Sequence, residues 1–199
     1  PRLNALGRLG DANPAVDLLL TQDNARANVL AAQIEGLNVQ RRLLTSQVYE
    51  AAKKQLDKNP GLMAEPAIVL SHPNWPGGVV GIVANKLVEH HHKPAILFTE
   101  SEDGILRGSA RSVEGLHVRD AMAEALAAMS GPVVRFGGHA MAAGITLPED
   151  RLEQFRSAFA LAVGRQRDLV GSDDSLWTDG TLEAHDLQLD LAETLAAAG

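Results

Sequence analysis

The 199-residue chain contains no cysteine, which excludes a disulfide framework and any thiolate metal centre. Aromatic residues make up only 4%, too few for a platform on which successive bases could stack. Positive charge is not in excess either. Eighteen Lys and Arg stand against 25 Asp and Glu, for a formal net charge of −7. A general basic field is thereby excluded as a source of nucleic-acid affinity, and a few local cations or a basic neighbouring domain would have to supply it. No run approaches the roughly 20 apolar residues of a membrane span and no signal-peptide pattern opens the chain, so the expectation is a soluble cytoplasmic protein without a membrane partner. What is present is 45% hydrophobic residues, enough for one compact domain with appendages. A start at Pro1 and an end at Gly199, inside an Ala-rich helical pattern, read as a piece of a longer protein.

Residues 1–22 combine a glycine-punctuated loop with a short helix that Pro14 opens near its first turn. From Asp23 to Lys58 there is no proline, and Leu30, Leu37, Leu44 and Ala51 recur every seven residues with Ile34 and Val48 between them. That spacing predicts one long helix, ended by Asn59-Pro60-Gly61. Arg41 and Gln55 interrupt its second apolar row, which suits a connecting helix better than a dimeric coiled coil. Strand and helix patterns then alternate. Strands are expected at Ala67–Leu70, Ala95–Phe98, Ile105–Arg111, Val133–Phe136 and Gly144–Leu147, and helices at Gly78–His90, Val118–Met129 and Arg151–Arg167. This order implies an α/β sheet flanked by helices. Residues 171–174 read as a linker, followed by a strand over Leu176–Leu182 and a helix too short to build a core alone.

Two segments carry candidate chemistry. In Arg107-Gly108-Ser109-Ala110-Arg111-Ser112, strand alternation puts Arg107, Ser109 and Arg111 on one face. Two guanidiniums around a hydroxyl suit a phosphodiester, since each guanidinium can bond a phosphate through two N–H groups. The same pattern also fits a solvated strand whose arginines meet Glu100, Glu102 or Glu114. In Phe136-Gly137-Gly138-His139, followed by Ala142-Ala143-Gly144, paired glycines present a histidine and leave room for close approach to the main chain. A tight strand-to-helix turn with an incidental histidine explains that pattern as well.

The remaining motifs say less. Asn74 to Ile82 place a glycine pair at a helix start, a possible anion site without the spacing of a dinucleotide fingerprint or P-loop. His90-His91-His92 cannot converge on one ion, because consecutive helical residues point about 100° apart. No Asp/His cluster or Ser-His-Asp arrangement is visible, so the chain shows no hydrolytic centre of its own.

Together these motifs resemble the RecJ family of DHH/DHHA1 phosphoesterases. The carrying residues are Gly78-Val79-Val80-Gly81-Ile82-Val83-Ala84, Gly108-Ser109-Ala110-Arg111-Ser112, and Gly137-Gly138-His139 through Gly144, in that order. The resemblance implies a DHHA1-type mixed sheet flanked by helices and preceded by a long connecting helix. Residues 1–22 would be the C-terminal end of a DHH domain, 23–60 the connector, 64–168 the DHHA1 domain and 172–199 the start of an OB-type domain. It further implies 5′→3′ hydrolysis of single-stranded DNA in repair and recombination, by a Mn²⁺ or Mg²⁺ centre in the DHH domain. No ion is expected on this segment, which alone would be inactive. The implied DNA-binding residues are Arg8, Arg107, Ser109, Arg111, Ser112, Gly137, Gly138 and His139, with Ser109, Arg111 and His139 near the scissile phosphate and Arg8 on the facing side. RecJ proteins often carry Trp-His-Pro-Gly before the helix, whereas this chain has Trp75-Pro76-Gly77-Gly78, and His72 is no obvious replacement. A related phosphoesterase of oligonucleotides or nucleotides, and a non-catalytic RNA-binding appendage, share parts of the same pattern.

Overall fold

The structure, a computed structural model, describes residues 2–100, 103–129, 135–170, 178 and 180–198. Two short helices, α1 (Leu6–Leu9) and α2 (Asn13–Leu20), precede the long α3 (Asn24–Lys58). At 1.5 Å per residue its 35 residues extend about 52 Å. The Asp23 carboxylate caps it, accepting from the Ala25 and Arg26 N–H groups, which have no intrahelical partner. Its buried stripe is Leu30, Ile34, Asn38, Thr45, Val48, Ala52 and Leu56. The seven-residue row of Leu37, Leu44 and Ala51 is only half-buried. Polar residues therefore face inward at mid-helix, where Arg41 donates to Asn38 Oδ1 at 3.1 Å and Thr45 donates to the Arg41 carbonyl at 2.8 Å.

After the short α4 (Pro60–Ala64) come β1 (Ile68–His72), α5 (Gly77–His91), β2 (Ala95–Glu100), β3 (Ile105–Arg111), α6 (Val118–Ala127), β4 (Phe136–Gly138), β5 (Ala142–Pro148) and α7 (Leu152–Val170), with α8 (Leu189–Ala198) last. The five strands form one mixed sheet in the order β1-β2-β3-β5-β4, parallel only between β1 and β2. Among the described residues Thr178 and Gly180–Leu182 are not in a strand, so that part of the strand expected at Leu176–Leu182 is not formed. The rest of that span, and Val133 and Val134, lie outside the described residues. β4 runs through the paired glycines, beyond the Phe136 end expected of that strand, and turns into β5, where a strand is expected at Gly144–Leu147, rather than into the helix of the alternative reading.

Strand alternation splits the sheet's side chains between two cores. On one side Ile96, Phe98, Leu106, Ala110, Ile145 and Leu147 pack against α6 and α7. There Phe98 meets Phe155 edge-on at 6.0 Å and Phe155 stacks on Phe159 at 5.5 Å. On the other side Ile68, Leu70, Ala95 and Leu97 pack against Val79, Val83 and Leu87 of α5 and Val48, Ala52 and Leu56 of α3. The outer edge of β1 is blunted, because Gln55 donates to the Ser71 carbonyl and Arg156 to that of Val69, each at 3.2 Å. This second layer stops at β3. Beyond it Gly144 of β5 and Gly137 of β4 are exposed, and that uncovered half-face positions the candidate site.

Candidate functional site

The uncovered face can be read row by row from the strand register. Arg107 pairs with Thr146, Ser109 with Gly144, and Arg111 with Ala142. On the far side Gly137 pairs with Gly144, and the His139 N–H donates to the Ala142 carbonyl at 2.8 Å. Alternation therefore places Ser109, Gly144 and Gly137 in a middle row, with Arg111, Ala142 and His139 along one side of it. Arg107 and His139 are exposed and Ser109 and Arg111 half-buried. The other parity carries the core: a Cβ on Gly108 would fall 2.5 Å from the Phe98 ring.

Gly138 is the glycine the backbone demands. Its φ is +142°, and a Cβ there would stand 2.4 Å from the Ala142 carbonyl oxygen and 2.5 Å from the Ala143 Cα. The turn that follows is held by main-chain bonds from Ser112 N–H to the Met141 carbonyl and from Val118 N–H to the Ala140 carbonyl, at 3.0 and 2.9 Å. His139 is thus carried on a braced hairpin.

Helix α5 supplies the wall. It approaches β3 so closely that a Cβ on Gly81 would lie 2.9 Å from an Arg111 Nη. One turn earlier, a Cβ on Gly78 would overlap the Arg8 carbonyl at 1.8 Å. The Arg8 guanidinium in turn donates to the Gly78 carbonyl at 3.4 Å. Arg8 and Arg111, 103 positions apart in the chain, therefore meet on one turn of α5. Burial, and then the charge of Arg8, lower the pKa of Arg111, although an arginine remains cationic at any physiological pH. Arg111 donates to the Ala110 carbonyl at 2.7 Å, and no described carboxylate pairs with Arg8, Arg107 or Arg111. Two neighbouring cations beside a hydroxyl, with an exposed imidazole two strands away on the same face and no counterion among the described residues, form an arrangement suited to an anion.

Ser112 does not join this face. It is 4% exposed and its hydroxyl donates to the Leu116 carbonyl at 2.8 Å, so it closes the turn after β3. His72 stacks on Trp75 with ring centroids 5.6 Å apart, and its Nδ1 accepts from the Asn74 N–H. It shapes the loop before α5. Arg135 and Thr146 border the same face and went unnoticed in the sequence. The available signal was the period of two that links Arg135, Gly137 and His139. Among the described residues no group of three or more His, Cys, Asp or Glu could hold a metal ion, and the cationic face does not fit a divalent cation. His91 ends α5 and His92 occupies its left-handed C-cap, φ 51°. No described helix is long and apolar enough to cross a membrane.

The DHHA1 domain model matches residues 64–164. The chain is 42% identical over 202 residues to the single-stranded-DNA-specific exonuclease RecJ of Dickeya dadantii, and 36% identical over 201 residues to that of Haemophilus influenzae. Each match covers all of this chain and 35% of the relative, so the chain spans about a third of the length of these curated relatives. Among solved structures, RecJ of Thermus thermophilus in complex with Mn²⁺ superposes with a TM-score of 0.69 at 32% identity, covering 83% of this chain and 23% of that one.

Proposed function

The chain belongs to the DHHA1 family and is homologous to the DHHA1 region of the RecJ single-stranded-DNA-specific exonucleases, and from that membership we propose that it forms the substrate-holding wall of a 5′→3′ exonuclease acting on single-stranded DNA in cytoplasmic repair and recombination. In this reading residues 1–22 end a DHH catalytic domain, 23–60 connect it to the DHHA1 domain at 64–168, and 172–199 begin an OB-type domain. The Mn²⁺ or Mg²⁺ ion belongs to the DHH domain, since this face is cationic.

The observation that carries the reading is the meeting of Arg8 and Arg111 over Ser109 without a counterion among the described residues. A backbone phosphate supplies the missing negative charge, and each guanidinium offers it two N–H donors. His139, exposed across the row from Arg111, donates to the same phosphate and stabilises charge that develops on it. Gly138 holds the histidine there through a backbone conformation other residues rarely adopt. Gly137 leaves the floor low enough for the strand to lie on the sheet.

The test uses the whole protein with single-stranded DNA labelled at its 5′ or 3′ end. Label should leave the 5′ end first. Arg111→Ala and His139→Ala should each lower turnover on the order of 10²–10³-fold, the usual effect of removing one donor to a transition-state charge. Release from the 3′ end would refute the proposed polarity. Full activity in both variants would refute the substrate wall.

A further inference from the structure

We propose that the open face carries a second phosphate subsite, built from Arg107 and Arg135 on either side of Thr146, which takes a phosphate farther along the strand whose end lies at Arg111. This rests on the reading of the face as a track for single-stranded DNA. Arg107 pairs with Thr146, and the Thr146 N–H donates to the Arg135 carbonyl at 2.8 Å. The three residues form a cross-strand row, with a hydroxyl between two guanidiniums. Neighbouring strands lie about 4.8 Å apart, so the two arginine Cα atoms are about 10 Å apart, within joint reach of one phosphate by their long side chains. A shallow hollow of about 370 Å³ opens between them, floored by Gly137, Gly144 and Thr146.

Three observations favour a ligand over plain surface charge. Both arginines are exposed, and neither has an ion pair or side-chain hydrogen bond among the described residues. This holds although 21 of the chain's 25 carboxylates lie in the described residues, and although Glu100 lines a neighbouring hollow with Arg107, the two do not pair. An edge arginine can serve to discourage edge-to-edge association, which would explain Arg135 on the β4 side. It would not explain Arg107, which sits on the central strand β3. Finally, nothing lies within 4 Å of a Cβ placed on Gly137, and the nearest atom to one on Gly144 is 3.8 Å away. Packing alone does not demand a bare floor at either position.

The two rows hold separate phosphates. Arg107 and Arg111 are four residues apart on one strand, about 13 Å, and the Arg111 guanidinium is held against α5, where a Cβ on Gly81 would lie 2.9 Å from its Nη, and bonded to the Ala110 carbonyl. Between their rows lies the Ser109–Gly144–Gly137 row, low enough for a sugar to cross. The strand end is held at Arg8, Ser109 and Arg111, and the chain then runs along β3 and β5 to Arg107 and Arg135.

The test titrates the 199-residue chain with a 5′-phosphorylated thymidine dinucleotide and with the corresponding hexanucleotide, reading amide shifts by NMR across a salt series. The hexanucleotide should bind more tightly, and only it should shift Thr146 strongly. Arg107→Gln and Arg135→Gln should each shrink that gain and lower the hexanucleotide's log–log salt slope by about 0.7, the share of one single-strand phosphate contact. If both variants keep the wild-type hexanucleotide affinity and slope while Arg111→Gln weakens both ligands, the second subsite is overturned and the track reading stands. If wild type binds neither ligand, or Arg111→Gln changes neither, the track reading falls and the subsite with it.

Discussion

The adjacent glycines of β4 give a sharp contrast. Alanine at Gly138 must adopt φ near +142° and place its methyl 2.4 Å from the Ala142 oxygen and 2.5 Å from the Ala143 Cα. Both obstructing atoms are backbone, so neither can rotate away. Strain of about 1–3 kcal/mol for the backbone conformation, added to displacement of the hairpin, makes a loss of at least about 2 kcal/mol reasonable. For a chain of this size that lowers Tm by about 4–8 °C. Alanine at Gly137 meets nothing within 4 Å. It restricts the unfolded chain and should stabilise by about 0.4–1 kcal/mol, raising Tm by about 1–4 °C. Its methyl nevertheless stands on the floor between Ser109 and the open edge. Lifting the strand enough to break one charge-assisted hydrogen bond costs about 1.5–3 kcal/mol, roughly a ten- to hundredfold loss in turnover of the whole protein. Circular-dichroism melts and the end-label assay on both variants provide the check. Equal melting shifts for the two alanines would refute the geometry at Gly138. Wild-type turnover in a stable Gly137→Ala would refute the contact face.

Two further outcomes are expected. The 199-residue chain alone should show no metal-dependent nuclease activity, since its described residues lack a metal-holding cluster; cleavage of labelled single-stranded DNA with Mn²⁺ that persists through stringent purification would refute this. Burial, then the charges of His90, Lys93 and Lys53, lower the pKa of His91 below its ordinary 6.5, and its Nε2 is buried without a partner. The unfolded state therefore binds the proton first as pH falls through about 6.5, and this histidine's contribution to stability declines from there down to its folded pKa. Denaturant midpoints measured from pH 7.5 to 5 should show a decline that His91→Gln reduces, and an unchanged pH profile in that variant would count against it.

Much of this architecture was legible from local pattern, because local pattern is set by the period of the backbone. Helix α3 runs Asn24–Lys58 where the apolar recurrence and the Asn59-Pro60-Gly61 stop predict it. Strand β3 occupies Ile105–Arg111, and period two alone puts Arg107, Ser109 and Arg111 together. The face of α3 was harder to read. Arg41 and Gln55 look like interruptions but point inward, where neighbouring Asn38 and the Ser71 carbonyl receive their N–H groups.

Residues far apart in sequence were decided by tertiary structure alone. Ser112 continues the motif after Arg111, yet the turn after β3 buries it, and no periodicity announces where a strand ends. Arg8 reaches Arg111 because α1 packs its backbone onto Gly78, a contact of shape between two helices. Arg135 joins Arg107 because β5 lies between β3 and β4 in a particular register. A shift of that register by one residue would send Gly144 and Thr146 to the opposite face. Amino-acid order determines which side chains alternate on a strand; only the pairing of strands and the seating of helices on them bring separate cations to one surface.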